Sequence, residues 1–282
     1  MRFQEFLPAF PLQSFIHHYA ILEDDRSSAE GITDRTPPNL STGLLFYYHL
    51  EGPVHITNGI YNDVLPQSFL MPQCIQSQSW LYHKPLGIFA IMFKPGKLRH
   101  FFPYPLLAYQ DRALPIHSLG DAGLLELEDR IFEAKTTEKR IEAANQYLLG
   151  RLSRINCRID LIDWTLSKLF TNPGRHINDL PLEVKVSERH FRRLFEREMG
   201  VSPKAWQKLA RFTQAMRLMQ SPRFRNLSAV AHACGYYDQT QFIGQFKFFT
   251  QLTPGEFLKQ TLPITELTAW REDVVDRREM ER

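Results

Sequence analysis

Three arginines lie within five positions of a stretch whose apolar residues recur at helical spacing. They are Arg189, Arg192 and Arg193, and they follow Ser187, whose hydroxyl can cap a helix by accepting a backbone N–H of its first turn. On such a helix the arginines share the face opposite the apolar side chains. Because Arg pairs with O6 and N7 of guanine through two hydrogen bonds, this pattern predicts a helix that reads DNA bases.

A second candidate for base reading begins after Asp238, which can cap a helix in the same way. Gln can pair with adenine, and Thr or Ile can contact the methyl group of thymine. A glycine on the outer face adds no side chain, so this helix is expected to discriminate fewer bases than the first. Lys247 is expected to contact a phosphate. The outer positions of this helix are Gln239, Thr240, Ile243 and Gly244.

Each candidate helix is preceded by a short apolar-periodic helix and a turn, and the three together form a helix-turn-helix motif. The motifs cover residues 176–195 and 226–246, and one helix-length stretch joins them. That stretch begins with Ser202 as a cap and Pro203 at the first helical position. A rod of its length, ~24 Å, could hold two recognition helices near the ~34 Å separation of adjacent major-groove faces. The expected partner is therefore double-stranded DNA, bound through the major groove.

The charge of the chain is divided unevenly, although its net value is only +3. Residues 156–262 hold 16 Lys and Arg against 9 Asp and Glu, a balance of +7. Residues 1–155 hold 14 against 16 and residues 263–282 hold 4 against 6, a balance of −2 in each segment. A solvated basic face would give the same balance, but phosphate neutralisation by Lys and Arg also supplies most non-specific affinity for DNA. The excess charge lies where the motifs are.

Residues 175–262 closely resemble the DNA-binding domain of the AraC/XylS family of bacterial transcription regulators. The most specific part is Ala231-His-Ala-Cys-Gly-Tyr-Tyr-Asp-Gln-Thr-Gln-Phe242, and Leu252-Thr-Pro-Gly-Glu-Phe257 adds to it. The resemblance implies a transcription regulator that is not an enzyme, with RNA polymerase as a further candidate partner. The base-contacting positions of the family fall on the three arginines and on the four outer positions of the second helix. Pro181 departs from the pattern, because a Pro inside the leading helix of the first motif removes a hydrogen bond.

The first half of the chain has the pattern of a β domain. Short β-forming runs punctuated by Gly, Pro and Asn occupy residues 40–95, and helical periodicity takes over after residue 121. The fold predicted for the whole chain is α+β with more than one domain. The strand spacing suggests a small antiparallel barrel or sandwich. An antiparallel β-barrel with terminal helices would cover residues 1–155. An all-α domain with both motifs and their long joining helix would cover residues 156–262, followed by a charged tail at 263–282.

The first half also resembles the cupin-like sensory domain of a subset of the AraC/XylS family, through Phe15-Ile-His-His-Tyr19, the strand block and Phe93-Lys-Pro-Gly96. This resemblance implies control by a small-molecule effector or by formation of a homodimer. The helix around residues 141–148 could form the dimer interface or pack on its own barrel. Aromatic residues that could line an effector pocket, or form a plain barrel core, are Tyr47, Trp80, Tyr82 and Phe93.

No metal site and no cofactor are expected. A metal-dependent cupin enzyme needs clustered histidines and a Glu, whereas His49, His55 and His83 stand on separate segments. An enzymatic barrel fused to a DNA-binding domain remains the alternative. The three cysteines show no CxxC spacing, which indicates free thiols in a reducing cytosol. No apolar run is long enough to span a bilayer, so the expected location is the cytoplasm, without a membrane partner.

Overall fold

The computed structural model describes residues 2–59, 61–104, 106–155, 160–172, 174–221 and 224–259. The first half of the chain is built on an antiparallel sheet, and the second half is helical. The predicted α+β organisation is confirmed. The predicted domain boundary near residue 156 and the tail at 263–282 lie outside the described residues. The strands are β1 (Arg2–Phe6), β2 (Ile16–Thr36), β3 (Thr42–Leu50), β4 (His55–Thr57), β5 (Asn62–Val64), β6 (Ser68–Met71), β7 (Gln78–Phe93) and β8 (Leu114–Pro115).

Within the described residues the sheet is open, so the predicted β-barrel is not closed. Its hydrogen-bonded order is β1-β2-β7-β3-β6-β8, and β4 pairs with both β5 and β7. Strands β1 and β8 stand at opposite ends of this order, and within the described residues they do not pair with each other. A series of short runs predicts antiparallel strands, but closure depends on strand tilt and stagger, which the spacing of the runs does not encode.

Two long strands, β2 and β7, form the centre of the sheet. The sequence predicts separate strands at residues 79–82 and 87–93, whereas the structure has a single β7 that continues through Pro85. The ladder between β2 and β7 shifts register between the pairs Asp24–Leu86 and Ser28–Lys84. Pro85 lies at that shift, where its missing N–H costs no regular ladder hydrogen bond.

The two faces of the sheet bury different side chains because neighbouring residues of a strand point to opposite sides. On one face, residues such as Tyr19 and Phe89 pack against helices. On the other face, residues such as Leu45 and Ile88 form a second apolar cluster. The helices on the first face are α1 (Leu98–Phe101), α2 (Ala122–Glu133) and α3 (Thr137–Leu152).

Helix α3 uses its apolar side to pack on its own domain. Ile141 and Leu148 are buried in the cluster that also contains Leu127 and Ile131 of α2. Of the two roles that the sequence leaves open for this helix, the structure supports packing on its own sheet. These two side chains are therefore not available to a dimer interface.

The helical half has one continuous apolar core, which includes Trp206, Phe212 and Phe246. Leu40, from the segment between β2 and β3, is also buried in it. Among the described helices, none combines the length and the apolar character needed to cross a bilayer. The helices of this half are α4 (Leu161–Thr171), α5 (Leu180–Glu183), α6 (Glu188–Met199), α7 (Pro203–Gln220), α8 (Leu227–Ala233), α9 (Gln239–Thr250) and α10 (Pro254–Phe257).

Candidate nucleic-acid interface

The first motif consists of α5, a turn and α6. The cap expected at Ser187 is present, since its hydroxyl accepts a hydrogen bond from the backbone N–H of His190 at 3.2 Å. Pro181 stands in the first turn of α5, where a missing N–H leaves no intrahelical hydrogen bond unmade. The departure of Pro181 from the family pattern therefore does not break the leading helix.

The second motif consists of α8, a turn and α9. Asn226 caps α8 by accepting from the N–H of Ala229 at 2.8 Å. Asp238 caps α9 as expected, by accepting from the N–H of Gln241 at 2.7 Å. Each cap accepts from a backbone N–H that has no partner within its own helix, so the first turns of α8 and α9 are fixed.

Helix α7 holds α6 and α9, the second helix of each motif, in place. The ring of its Trp206 packs edge-on against Phe195 of α6, with 6.4 Å between centroids. Its Phe212, six residues later, packs against Phe246 and Phe249 of α9, with centroids 5.3 and 4.8 Å apart. A single helix thus fixes the position of α6 relative to α9 through buried aromatic side chains.

Most of the residues expected to contact DNA lie on the surface of α6 and α9. Ile243 differs, because it is half-buried and packs against the core of the helical half. Gly244 faces open space, and an added Cβ would meet no atom within 4 Å. The exposed members of the expected set are Ser187, Arg189, Arg192 and Arg193 on the first motif, and Gln239, Thr240, Gly244 and Lys247 on the second.

The exposed arginines are not equivalent. The Nε of Arg192 donates to Oε1 of Glu196, one turn further along α6, at 2.8 Å. The hydrogen bond and the negative charge of Glu196 raise the pKa of Arg192. Arg193 makes no ion pair with any described residue. Arg193 can therefore contact a base or phosphate without first giving up a partner on the protein.

The turns of the two motifs share a backbone conformation but differ in sequence. Lys185 of the first motif has a φ of +54°, and Gly235 of the second has a φ of +73°. Glycine adopts this left-handed conformation without steric cost, whereas other residues lose roughly 1 kcal/mol or more. The first turn is thus locally strained.

Replacing Lys185 with Gly is expected to raise the free energy of unfolding by about 0.5–1 kcal/mol, because it removes this strain. Chemical unfolding of the full chain measures the change. Lys185→Ala is the control, since it removes the charge and keeps the strained φ; it should give no gain. A gain from the Ala variant would assign the effect to charge, and a loss from the Gly variant would show that the Lys185 side chain contributes contacts.

The C-terminal end of α6 contacts the sheet domain. A Cβ added to Gly200, which ends α6 with a φ of +72°, would come within 3.0–3.1 Å of Leu106. Nη1 of Arg99, in α1, lies 3.6 Å from the carboxylate of Glu198. The helix that presents the arginines is therefore also the helix that touches the first half of the chain, and no local sequence signal indicated this contact.

Arg99 is the centre of a charged cluster between the two halves. Its guanidinium, only 7% exposed, donates to both carboxylate oxygens of Asp160 at 2.7 and 2.8 Å and to Asp163 at 3.0 Å. Lys97 also donates to Asp163, at 2.8 Å. Burial alone would raise the pKa of Asp163, but hydrogen bonds from His100 and Lys97 and the charge of Arg99 outweigh it and lower that pKa. The hydrogen bonds from Arg99 likewise outweigh burial and lower the pKa of Asp160, so both carboxylates are ionised at neutral pH.

His100, Asp160 and Asp163 place three atoms that could ligate a metal within 4.8 Å of one another. Lys97 and Arg99 already bind the same two carboxylates, so the negative charge that would attract a cation is compensated. The histidines considered in the sequence lie elsewhere: His49 is exposed on β3, His55 is half-buried on β4, and His83 is half-buried on β7.

The aromatic residues considered for an effector pocket fall on both faces of the sheet. Tyr47, Trp80 and Tyr82 are buried in one cluster. Phe93 points to the other face and packs against Phe101 at 5.5 Å between centroids. The structure thus brings three of the four together.

The cluster that contains Trp80 borders a small cleft of about 40 Å³. Trp80 Nε1 and Thr36 Oγ1 are buried beside it and lack hydrogen-bond partners within the described part of the chain. Cys74 also lines the cleft, and burial raises the pKa of its thiol well above the ordinary value. Cys74 and Cys234 are free and buried; Cys157 lies outside the described residues.

Comparisons with known proteins agree with this geometry. Residues 182–260 match a family described as a helix-turn-helix domain, and residues 4–115 match a domain of unknown function (DUF6597). Among curated proteins, no match is found.

Several solved structures are similar to the chain at low identity. ToxT from Vibrio cholerae is 12% identical, with 84% of this chain and 97% of that chain covered and a TM-score of 0.49. The DNA-binding domain of AdpA, solved with a target DNA, is 22% identical, with 35% and 90% covered and a TM-score of 0.33. These values are too low to transfer ligands or residue roles to this chain.

The match to a helix-turn-helix domain lies entirely in the helical half. The match over residues 182–260 spans the turn and second helix of the first motif, the joining helix α7 and the whole second motif. Both second helices are capped, anchored on α7 and exposed on their outer faces. Residues 182–260 therefore form a helix-turn-helix domain with two motifs, and a β-sheet half precedes it.

Proposed function

We propose that the chain is a DNA-binding transcription regulator of the AraC family, and that α6 and α9 each enter the major groove and read two successive faces of one DNA duplex. The observation that supports this most strongly is the anchoring of both helices on α7 by buried aromatic side chains. Helix α7 has 18 residues and is therefore ~27 Å long. Side chains projecting beyond its ends could reach groove faces ~34 Å apart.

The two helices would contribute unequally. On α6, Arg189, Arg192 and Arg193 supply long side chains that can pair with guanine or hold a phosphate. On α9, the exposed polar side chains of the first turn are Gln239, Thr240 and Gln241, and the last of these already accepts a hydrogen bond from the backbone of Tyr237. Lys247 and the capped N-terminus of α9 suit contacts to phosphates, which carry affinity rather than sequence information.

Footprinting on a saturation-mutated operator tests this proposal. One protein molecule is expected to protect about two turns of DNA, with two elements ~10 bp apart. The element under α9 should tolerate more base changes than the element under α6. Gly244→Ser adds a side chain where space is open, so it should sharpen selection under α9 alone. A footprint of one turn, or stronger selection under α9 in the unchanged protein, would contradict the proposal.

We further propose that the sheet domain controls DNA binding through its contact with the end of α6. The contact leaves the arginines of α6 exposed, so docking would orient the helix without covering it. Arg99 links the two halves most directly, because it binds Asp160, Asp163 and Glu198. Control through this contact needs no dimer, although a second copy of the chain and RNA polymerase remain proposed partners.

Replacing Arg99 with Met is expected to weaken operator binding about 5-fold or more, because the orienting contact is lost. Titration of labelled operator DNA measures this, and Arg130→Met is the control, because Arg130 of α2 pairs with Gln146 of α3 within the sheet domain. Tighter binding by the Arg99 variant would show that docking inhibits, and equal binding would remove the contact from control. Limited proteolysis of the full chain reports separately whether the halves have come apart.

The effector, if it is a small molecule, is proposed to bind beside Trp80, where Tyr47 and Tyr82 are also buried. The orphan N–H of Trp80 would donate to an acceptor on the ligand. A cleft of about 40 Å³ takes only a few atoms, so a larger effector would require the sheet to rearrange. Quenching of tryptophan fluorescence in the full chain, compared with Trp80→Phe, tests this site.

The division into residues 1–155 and 156–262 and the absence of enzymatic activity are further parts of the proposal. A fragment starting near residue 156 should bind DNA with strong salt dependence, and residues 1–155 should not bind. Leu40 packs into the core of the helical half, so the fragment should be less stable than the full chain. A metal or a turnover product that copurifies with residues 1–155 would favour the enzyme alternative.

A further inference from the structure

The two motifs match position by position through most of their turns. In the first, the N–H of Val186 donates to the carbonyl of Pro181 at 3.0 Å; in the second, the N–H of Tyr236 donates to the carbonyl of Ala231, also at 3.0 Å. The residue immediately before each donor, Lys185 or Gly235, is left-handed. Up to this point the two turns therefore have the same length and the same hydrogen bonding.

The turns then diverge by one residue. In the first motif the cap Ser187 follows Val186 directly, whereas in the second Tyr237 stands between Tyr236 and the cap Asp238. The two tyrosines have opposite environments: Tyr236 is 5% exposed and Tyr237 is 92% exposed. The second motif thus carries one additional residue, and its aromatic side chain lies in solvent at the start of α9.

The backbone at this additional residue is held in place. The N–H of Tyr237 donates to Oε1 of Gln241 at 2.9 Å, while the N–H of Gln241 donates to the cap Asp238 at 2.7 Å. This reciprocal pair fixes the chain on both sides of the cap. It also occupies the side chain of Gln241, which is then not free to pair with a base. Among the described residues, the Tyr237 ring has no aromatic partner.

A turn that precedes a recognition helix lies at the edge of the major groove, where the sugar–phosphate backbone passes. Tyrosine is one of the side chains that donate to phosphates at such places. Helix α9 has few other means of binding, because Gly244 lacks a side chain and Ile243 is half-buried. One exposed ring is also far smaller than the ~800 Å² per partner of an ordinary protein interface. The position therefore favours DNA over a protein as the partner of Tyr237.

Resting on the proposed entry of α9 into the major groove, we propose that Tyr237 is a DNA-backbone contact of the second motif, with its ring against a deoxyribose and its hydroxyl donating to a phosphate oxygen. The contact is electrically neutral and touches no base. It adds affinity that depends neither on sequence nor on the release of counterions. The second motif would thereby position the protein on the duplex with less basic charge than the first.

The test uses the full chain and titrations of operator and scrambled DNA at several salt concentrations. Tyr237→Ala is expected to weaken binding to both DNAs by the same factor, roughly 3- to 10-fold, and Tyr237→Phe by less, because it loses only the hydroxyl. The slope of affinity against salt should not change in either variant. Lys247→Ala, in contrast, should lower that slope by about 1.

Phe248→Ala is the matched control, because Phe248 is an exposed aromatic residue near the other end of α9. It should bind both DNAs normally. Unchanged affinity of Tyr237→Ala, or equal losses in both Ala variants, would overturn the proposal. A loss confined to one base pair would make Tyr237 a base reader and overturn it as well. Normal binding to naked DNA with a loss of transcription alone would assign Tyr237 to a protein partner.

Discussion

Replacing Trp206 with Ala is expected to lower the free energy of unfolding of the DNA-binding half by about 3–5 kcal/mol. Trp206 is completely buried. Its ring packs edge-on against Phe170 of α4, at 5.5 Å between centroids, and against Phe195 of α6, at 6.4 Å. The change would leave a large cavity where three helices meet. Chemical unfolding followed by circular dichroism measures it.

The control for this prediction is Trp206→Phe, which retains an aromatic ring and should lose less stability. DNA binding by the Ala variant should fall at least as far as the folded fraction falls, because Trp206 of α7 makes no DNA contact itself but holds α6 in position. A full loss of binding in a variant that remains folded would show that the aromatic contact sets the position of α6 precisely enough to control reading. A decrease of less than about 1 kcal/mol in the free energy of unfolding would contradict the packing of Trp206 against Phe170 and Phe195.

Replacing Arg193 with Ala is expected to weaken binding to the specific operator by about 1–3 kcal/mol, roughly 5- to 150-fold, with relaxed preference at one base pair. Arg193 is exposed on α6 and makes no ion pair with any described residue. Arg192→Ala should weaken operator binding less than Arg193→Ala does, because Arg192 must give up its hydrogen bond with Glu196 to contact DNA. Competition titrations against a set of operators with single base changes measure both effects.

Arg197 provides the control for the arginine variants. It is exposed on the same helix, beyond the part expected to enter the groove, and is paired with Glu198 at 2.7 Å. Arg197→Ala should leave base preference intact. If Arg193→Ala weakens binding equally on every sequence, Arg193 is a phosphate contact. If Arg193→Ala binds normally, α6 does not lie in the major groove.

The helical half could be predicted closely because its signals are local. A capping side chain and the backbone N–H that it accepts from are three positions apart, as Ser187 and His190 or Asp238 and Gln241 show. Apolar spacing then identified the buried faces of α6, α7 and α9. Ile243 was expected to face outward and is half-buried instead, because the burial of a helix flank depends on its neighbours and not on its own period.

The sheet half could be predicted only in outline, because strand pairing joins residues that are distant in sequence. The spacing of short runs predicted antiparallel strands, but it gave neither β1 nor the open end of the sheet. Phe93 was grouped with Trp80, although residues an odd number of positions apart on one strand face opposite sides. The two were assigned to separate strands, so this parity could not be applied. Arg99 and Asp160 likewise come into contact through tertiary packing, which no sequence motif predicts.

Helix α6 has a DNA-facing end and an end that contacts the sheet domain, and this arrangement makes it a lever. It has 12 residues and is therefore ~18 Å long. A tilt of only ~5° at Gly200 would move the far end by roughly 1.5 Å over that length. A shift of that size takes a guanidinium out of the 2.7–3.2 Å range of hydrogen bonds to a base. A signal in the sheet domain could thus turn base recognition on or off by tilting α6 as a rigid body. Helix α6 would stay folded, and the two halves would stay in contact.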